Sequence, residues 1–149
     1  MGQVRNGIDL DTSVGYLLKE ASSALRISME AALRPLGMTI THYSCLELLA
    51  QRPGLSNSQL ARGAFVTRQS MNVLLQSLER DGLVERVGDE ASGRAIPTRL
   101  TDRGREQLRT ASAAVKTVEN RMVEPLAPED RAALVATLRQ CVDALRAPA

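Results

Sequence analysis

Polar side chains with hydrogen-bonding groups recur between Thr67 and Arg80 at a spacing that suits the bases of DNA. Arg68, Asn72 and Gln76 stand four residues apart, so on a helix they lie along one side. Arginine matches the two acceptors on the major-groove edge of guanine, and the amides of asparagine and glutamine match adenine. The pattern predicts a helix face that reads base sequence, although an ordinary solvated helix face has the same polarity.

The segments on either side of this stretch favour the DNA interpretation. Residues 56–59 have the form of a capping box that starts a short helix, and residues 63–66 read as a turn. Thr67 then caps a second helix, whose inner side carries apolar residues at helical spacing. These are Met71, Leu74, Leu75 and Leu78. Two short helices joined by a tight turn, with a polar outer face on the second, predict a helix-turn-helix.

A two-stranded wing is predicted next. Residues 83–87 read as a short strand, residues 88–93 as a polar, turn-rich tip and residues 94–100 as the returning strand. Pro97 lacks an N–H group, so this strand should lie at an edge with that residue facing solvent. Arg94 follows the tip, and a narrow minor groove attracts an inserted arginine. We therefore expect Arg94 to contact DNA.

Helical patterns precede the helix-turn-helix. Residues 11–36 are predicted to form one long helix, capped by Asp11 or Thr12 and stopped by Gly37. Thr41 is predicted to cap a second helix, which ends at residues 53–54.

The chain ends also carry more apolar helix surface than the small central unit can cover. After the cap Thr101, apolar residues alternate steps of three and four, as in helix–helix seams, and a last helix is predicted from Glu129. One short helix reads only a few base pairs, so useful specificity generally needs two half-sites. An isologous homodimer would resolve both points. The predicted dimer residues are Val14, Leu18, Val118, Met122, Leu134, Leu138, Cys141 and Leu145.

The bulk composition fits a cytoplasmic globular protein. A chain of 149 residues suits one core, and 44% hydrophobic with 24% charged residues argues against disorder. Aromatic residues make up only 2%, so aliphatic side chains must fill the core, which favours helix packing. Two cysteines are too few for a disulfide scaffold, and no apolar run approaches the ~18 residues of a membrane span. We expect no membrane partner.

The sequence contains few of the residue combinations that catalysis or metal binding requires. It has one histidine and neither a glycine-rich phosphate loop nor a Ser-His-Asp or paired-carboxylate arrangement. His42 and Cys45 stand three apart, but a zinc site needs three or four protein ligands. We predict no enzyme activity, no metal and no cofactor.

These patterns together predict a mainly α fold with a small β-wing, a winged helix-turn-helix with long terminal dimerisation helices. Within one integrated domain, residues 1–36 form the N-terminal dimerisation helix. Residues 37–101 form the DNA-binding winged helix-turn-helix, and residues 102–149 the C-terminal dimerisation helices. The residues predicted to contact double-stranded DNA are Ser56, Thr67, Arg68, Gln69, Ser70, Asn72, Gln76 and Arg94.

The chain resembles the MarR (multiple antibiotic resistance regulator) family in several short segments. They read LGMT at 36–39, LA at 60–61, TRQSMN at 67–72, LERDGLVER at 78–86 and LTDRG at 100–104. The resemblance implies a triangular homodimer paired through its first, fifth and sixth helices, which binds a palindromic operator. Proteins of this family are usually repressors whose repression is relieved by a small ligand or by oxidation, so the resemblance implies the same here. The family wing commonly has Asp two residues before its Arg, where this chain has Ser92.

The resemblance further implies a site for a small aromatic or anionic effector between the dimer helices and the reading domain. The matching positions are Leu25, Met29, His42, Tyr43 and Leu46, with Arg86 at the wing base as a partner for an anion. Two alternatives remain open. One is a thiol-based redox regulator using Cys45 or Cys141, although both lie in apolar stripes where free cysteine acts as a small hydrophobe. The other is a helical dimeric interaction module without DNA binding.

Overall fold

Six α-helices and a two-stranded sheet follow one another along the two ranges that this computed structural model describes, residues 7–86 and 97–149. Helix α1 is Val14–Leu33, α2 Ile40–Gln51, α3 Asn57–Gly63, α4 Arg68–Arg80, α5 Asp102–Val123 and α6 Pro128–Arg146. Strands β1 (Val84–Arg86) and β2 (Thr98–Leu100) lie between α4 and α5. A 3-10 turn, Arg34–Leu36, joins α1 to α2. The predicted class, mainly α with a small β-wing, is confirmed.

Side-chain caps fix where most of the helices begin. Thr67 and Thr101 cap α4 and α5 as predicted, and Ser56 forms the predicted capping box with Gln59 at the start of α3. Two predicted caps were wrong. Ser13 caps α1, which begins at Val14 instead of Asp11, and α2 is capped by Thr39 instead of Thr41.

Thr39 takes the cap of α2 because it satisfies two backbone groups there at once. Its hydroxyl oxygen accepts from the backbone N–H of His42 (3.1 Å), while the Nδ1 atom of His42 accepts from the backbone N–H of Thr39 (3.2 Å). Thr41 is already the second residue of the helix. A capping box with histidine in its third position lacks the Glu or Gln by which the motif is usually recognised.

Aliphatic side chains fill the core, as the scarcity of aromatic residues predicted. Leu33 of α1, Leu46 of α2, Leu60 of α3, and Met71 and Leu75 of α4 are fully buried. The inner side of α5 completes the core with Leu108, Ala111 and Val115. The predicted apolar stripe of α4 is confirmed, with Leu74 at its half-buried edge. This packing holds the inner side of α4 in the core and leaves its opposite side on the surface.

The base of the wing is tied to the start of α5. Strands β1 and β2 are antiparallel with Val84 opposite Leu100, and Arg99 Nε donates to Glu85 Oε1 at 2.8 Å. Thr101 donates its backbone N–H to the carbonyl oxygen of Leu83 (3.1 Å) and its hydroxyl to that of Gly82 (2.6 Å). Pro97 is exposed as predicted. Leu83 and Pro97, predicted as strand residues, lie just before β1 and β2, and Val87 and residues 94–96 lie outside the described residues.

The N-terminal half of α1 and the whole of α6 bury little in a single chain. Helix α6 has no buried residue, and the only buried residue of α1 is Leu33 at its end. Across the described ranges, no helix is both long enough and apolar enough to cross a membrane.

Candidate nucleic-acid interface

The N-terminal end of α4 is open to solvent and carries two hydroxyl groups. The Thr67 hydroxyl oxygen accepts from the backbone N–H of Ser70 (3.0 Å), and its own O–H donates to Ser70 Oγ (2.9 Å). Thr67, Arg68, Gln69 and Ser70 are all exposed. The first turn of a helix presents backbone N–H groups and the positive end of its dipole, which favours an anion such as a phosphate. The structure thus places these four predicted residues together at one exposed helix end.

The outer side of α4 forms a continuous exposed edge. Gln69, Val73, Gln76 and Arg80 follow one another at steps of four, three and four, so they share a face, and all are exposed. The sequence analysis missed Val73, which is 62% exposed. Its spacing of four from Gln69 was the available signal, but an apolar residue was not expected on a polar face. We call these four residues, with Arg68, the outer edge of α4.

Asn72 lies at the half-buried margin of this face, so of the predicted row only Arg68 and Gln76 are fully exposed. The Oδ1 atom of Asn72 accepts from Nδ2 of Asn57 on α3 at 2.8 Å. Bidentate pairing with adenine uses both the oxygen and the nitrogen of an amide. One of the two lone pairs of the Asn72 oxygen is thus engaged inside the helix-turn-helix, while the amide N–H groups remain to donate outward. The sequence analysis missed Asn57.

Ser56 stands at the start of α3 with its hydroxyl already engaged in the helix cap. Its Oγ accepts from the backbone N–H of Gln59 (3.2 Å), and its backbone N–H donates to Gln59 Oε1 (2.8 Å). A serine hydroxyl that accepts in this way still has its own O–H to donate. Arg94, the predicted minor-groove residue, and Ser92 lie outside the described residues.

The predicted effector residues are divided between two cavities and the core. Leu46 is 0% exposed and belongs to the core, which corrects its assignment to an open crevice. Leu25 lines a cavity of about 210 Å³ between α1 and α5, together with Met122. Tyr43 lines a different cavity, also of about 210 Å³, between α2 and α3. Met29 is half-buried and packs against the core.

Polar groups cluster beside Tyr43, where α2 faces α5. Ser112 Oγ donates to Glu47 Oε2 at 2.9 Å, and Gln51 Nε2 donates to Glu47 Oε1. Burial raises the pKa of the Tyr43 hydroxyl, and a hydrogen bond with Ser112 opposes that shift. The Tyr43 hydroxyl therefore stays protonated at neutral pH and keeps a hydrogen to donate.

His42 and Arg86, the two remaining effector candidates, already have partners in the structure. Burial lowers the pKa of His42, while the carboxylate of Asp81 acts in the opposite direction. The neutral form fits the geometry, since Nδ1 must be unprotonated to accept from the backbone of Thr39. Arg86 Nε lies 3.7 Å from Glu79 Oε2. An anionic ligand would have to compete with this carboxylate for Arg86.

The two cysteines differ in environment. Cys45 is fully buried, and burial raises the pKa of its thiol to about 12. The reactive form of cysteine is the thiolate, so this environment suppresses its reactivity. Cys141 on α6 is half-buried. Among residues 7–86 and 97–149, no three His, Cys, Asp or Glu side chains come together as a metal site would need.

The predicted dimer residues are exposed apolar side chains in the single chain, with two exceptions. Val118 is only 9% exposed, so in the single chain it contributes to the packing of α5 and offers little area to a partner. Cys141 is half-buried. The exposed residues of the set are Val14, Leu18, Met122, Leu134, Leu138 and Leu145. Tyr16, Leu17, Val135 and Val142 are further exposed apolar side chains on α1 and α6 that were not predicted from the sequence.

Comparison with known proteins identifies the family to which this arrangement of helices and strands belongs. A sequence profile described as the MarR family matches residues 36–95. The HTH-type transcriptional repressor Rv2887 of Mycobacterium tuberculosis (strain ATCC 25618 / H37Rv) is 44% identical over 126 residues, which cover 84% of this chain and 91% of that protein.

Two solved structures of Mycobacterium tuberculosis Rv2887, described as a MarR family protein, resemble this fold. The complex with salicylic acid superposes with a TM-score of 0.74 at 40% identity, covering 88% of this chain and 97% of the other. The complex with DNA gives a TM-score of 0.72 at 37% identity, covering 88% and 98%. The helix-turn-helix, the wing and the two long flanking helical regions described above are therefore those of a known architecture, and the chain belongs to the MarR family of winged helix-turn-helix transcriptional regulators.

Proposed function

We propose that this protein is a cytoplasmic repressor that binds a palindromic DNA operator as a homodimer and releases it when a small aromatic acid binds. The observation that carries the proposal is the outer edge of α4. The inner side of this helix is fixed in the core by Met71 and Leu75, so the hydrogen-bonding side chains of its outer edge project from a rigid support. The N-terminal residues of a recognition helix are the ones that reach base edges in the major groove. The relative Rv2887 has been crystallised with DNA.

The exposed apolar surface of α1 and α6 supports the homodimer. A helix of 19 residues without a buried side chain is unusual in a stable monomer, because apolar stripes are generally buried against another element. A second copy covers this surface and supplies the second recognition helix that a palindromic site requires.

The effector belongs to the class of small aromatic acids. The relative Rv2887 was crystallised with salicylic acid, whose carboxylate and ring call for a cationic or hydrogen-bonding group beside an apolar wall. Tyr43, with a protonated hydroxyl beside Leu48, offers such a pairing on α2, and Leu25 and Met29 offer apolar walls on α1. The protein acts by binding and not by catalysis, in keeping with a single histidine that is used as a helix cap.

The test is selection of duplexes from a random-sequence pool by the purified protein, followed by titration of the selected duplex at several salt concentrations. We expect a palindrome and a logarithm of the association constant that falls steeply with the logarithm of salt concentration, because phosphate contacts release counterions. Sodium salicylate should release the duplex, whereas sodium chloride at equal ionic strength should release less. Failure to enrich any duplex would leave a helical interaction module as the better description.

A further inference from the structure

Phe65, the single phenylalanine of the chain, is among the most exposed apolar side chains of the described residues. It is 86% exposed, although phenylalanine is one of the residue types most often found in protein interiors. It is also the only described residue other than glycine with a positive φ, at 60°. The left-handed region is unfavourable for a bulky side chain. The turn between α3 and α4 thus has a residue that is disfavoured both by its exposure and by its backbone conformation.

The exposure of this ring is not explained by a loose turn. The backbone N–H groups of Phe65 and Val66 donate to the carbonyl oxygens of Arg62 (3.2 Å) and Ala61 (3.0 Å). Ala64 and Val66, on either side of Phe65, are half-buried and pack against the core. With the residues before and after it held inward, Phe65 is directed to solvent by an ordered backbone.

The position of Phe65 in the chain places its Cα close to the start of α4. It precedes the helix cap Thr67 by two residues, so its Cα lies within about 7 Å of that of Thr67. Residues at the start of a recognition helix are the ones that reach base edges. A ring at this position meets whatever surface the start of α4 approaches.

We propose that Phe65 packs against the 5-methyl group of a thymine in each half-site of the operator, and so makes the protein prefer thymine there. A phenyl ring has no hydrogen-bonding group, and the thymine methyl is the apolar group that the major groove presents. This inference rests on the proposed function. The contact accounts for the exposure of an aromatic side chain, while its positive φ belongs to the turn that ends α3.

The experiment combines a protein change with a DNA change. The wild-type protein and Phe65→Gly are titrated with the duplex that the wild type selects, synthesised with thymine or with deoxyuracil, which lacks the methyl group, at one position per half-site. For the wild type, loss of the methyl at the contacted position should weaken binding about fourfold per half-site, the equivalent of one buried methyl group. Phe65→Gly should bind the thymine duplex more weakly and show no further loss with deoxyuracil.

Thermal unfolding without DNA is a second measurement, in which Phe65→Gly should not show the loss that it shows in DNA affinity. Glycine adopts a positive φ without strain, so Phe65→Gly should unfold at the same or a higher temperature than the wild type. Lower affinity in a variant that is at least as stable supports a contact made only with DNA. Val73→Ala is the matched control, because it shortens a different exposed apolar residue, one that lies on α4 itself. This variant should still lose affinity when deoxyuracil replaces the thymine that Phe65 contacts.

The outcomes separate this inference from the proposed function. If the wild type selects a palindrome but no deoxyuracil substitution couples to Phe65, the thymine contact is wrong and the DNA-binding function stands. Equal losses by Phe65→Gly on the thymine and deoxyuracil duplexes also overturn it, because the ring would then touch sugar or phosphate. If the wild type selects no duplex, the function itself fails and this inference falls with it.

Discussion

At the residue scale, one hydrogen bond from Asn57 holds the side-chain amide of Asn72 in a fixed orientation. The bond from Asn57 Nδ2 to its Oδ1 joins α3 to α4, the two helices whose relative angle defines the helix-turn-helix. The same amide thus contributes to the support of the outer edge of α4 and, through its N–H, to the surface that we propose faces DNA. Its replacement should affect folding and binding together.

A double-mutant cycle separates these two contributions. Asn57→Ala and Asn72→Ala should each lower the free energy of unfolding by about 0.5–1.5 kcal/mol, since each removes a partner from a half-buried hydrogen bond. The double variant should lose less than the sum of the two, as measured by urea unfolding without DNA. Additive losses would show that the two amides do not interact in solution.

His42 makes the stability of the protein depend on pH. Its pKa in the folded chain is lowered from the ordinary value of 6.5, so the unfolded chain binds a proton more readily than the folded one. Stability should therefore be constant above pH 6.5 and should fall as the pH drops through and below that value, to the folded pKa. Protonation of Nδ1 removes the acceptor for the backbone N–H of Thr39, which is one half of the capping box of α2. We expect a loss of less than about 1 kcal/mol, because the side chain is only half-buried.

The matched variant for this effect is suggested by the chain itself. Gln59 occupies in the capping box of α3 the place that His42 occupies in that of α2. His42→Gln should keep both halves of the capping box and remove this part of the pH dependence between pH 7.5 and 5. His42→Ala should lose the bond to the Thr39 backbone N–H at every pH, while the Thr39 hydroxyl still caps the helix. An identical pH dependence in the wild type and His42→Gln would assign the effect to other groups.

At the element scale, Gly104 allows α5 to approach the strand that leads into the wing. A Cβ atom at this position would lie 2.0 Å from the carbonyl oxygen of Leu83, which accepts the backbone N–H of Thr101. The atoms of Leu83 nearest to this Cβ all belong to the backbone, so they cannot move aside as the end of a flexible side chain would. The close approach sets the position of β1 relative to α5, and with it the base of the wing.

Gly104→Ala should therefore destabilise the protein by about 1–3 kcal/mol, the usual cost of forcing an extra carbon into a packed site. Gly15→Ala is the control, because a Cβ there meets only Ser13 Oγ at 4.0 Å, and alanine in an exposed helix should stabilise by about 0.5–1 kcal/mol. Thermal unfolding measures both. Equal behaviour of the two variants would contradict the tight contact between α5 and Leu83.

Sequence periodicity was enough to predict the elements, but not which side chain each local site uses. The apolar stripe of α4 and the caps Thr67 and Thr101 follow from spacing alone, because helix caps and amphipathic faces are local properties. The cap of α2 was missed because His42 replaces the usual Glu or Gln. The engagement of the Asn72 amide was not predicted, since its partner Asn57 lies 15 residues away and only the folded turn brings the two together.

At the scale of the whole molecule, α1 and α6 leave apolar stripes exposed in the single chain, and we propose a second copy as the partner that covers them. The apolar stripes of these helices are readable in the sequence, whereas the burial of Val118 within its own chain is not. The effector residues illustrate the same limit. Leu25 and Tyr43 line different cavities and Leu46 is in the core, because a crevice between two units depends on tertiary and subunit packing that spacing does not encode.

Leu138→Glu should dissociate the homodimer. Leu138 lies on the exposed apolar side of α6, and an unpaired carboxylate buried in an apolar interface costs several kcal/mol. Gln140→Glu adds the same charge two residues away, on the opposite side of the helix, and should leave the dimer intact. Light scattering of both variants gives the molecular mass. A dimer that persists in Leu138→Glu would exclude this face of α6 from the interface.

The central claim is that the outer edge of α4 enters a major groove, and replacement of guanine by 7-deazaguanine in the selected duplex tests it most directly. This change removes the N7 acceptor from the major groove and leaves the Watson–Crick pairing and the minor groove in place. At the guanine paired with Arg68, it should weaken binding by the wild type about tenfold per half-site, as expected for a disrupted bidentate contact. Arg68→Ala should bind the unmodified duplex more weakly and be insensitive to the replacement. If the wild type is insensitive at every guanine, or if both proteins lose affinity equally, Arg68 and the edge it belongs to do not read the major groove.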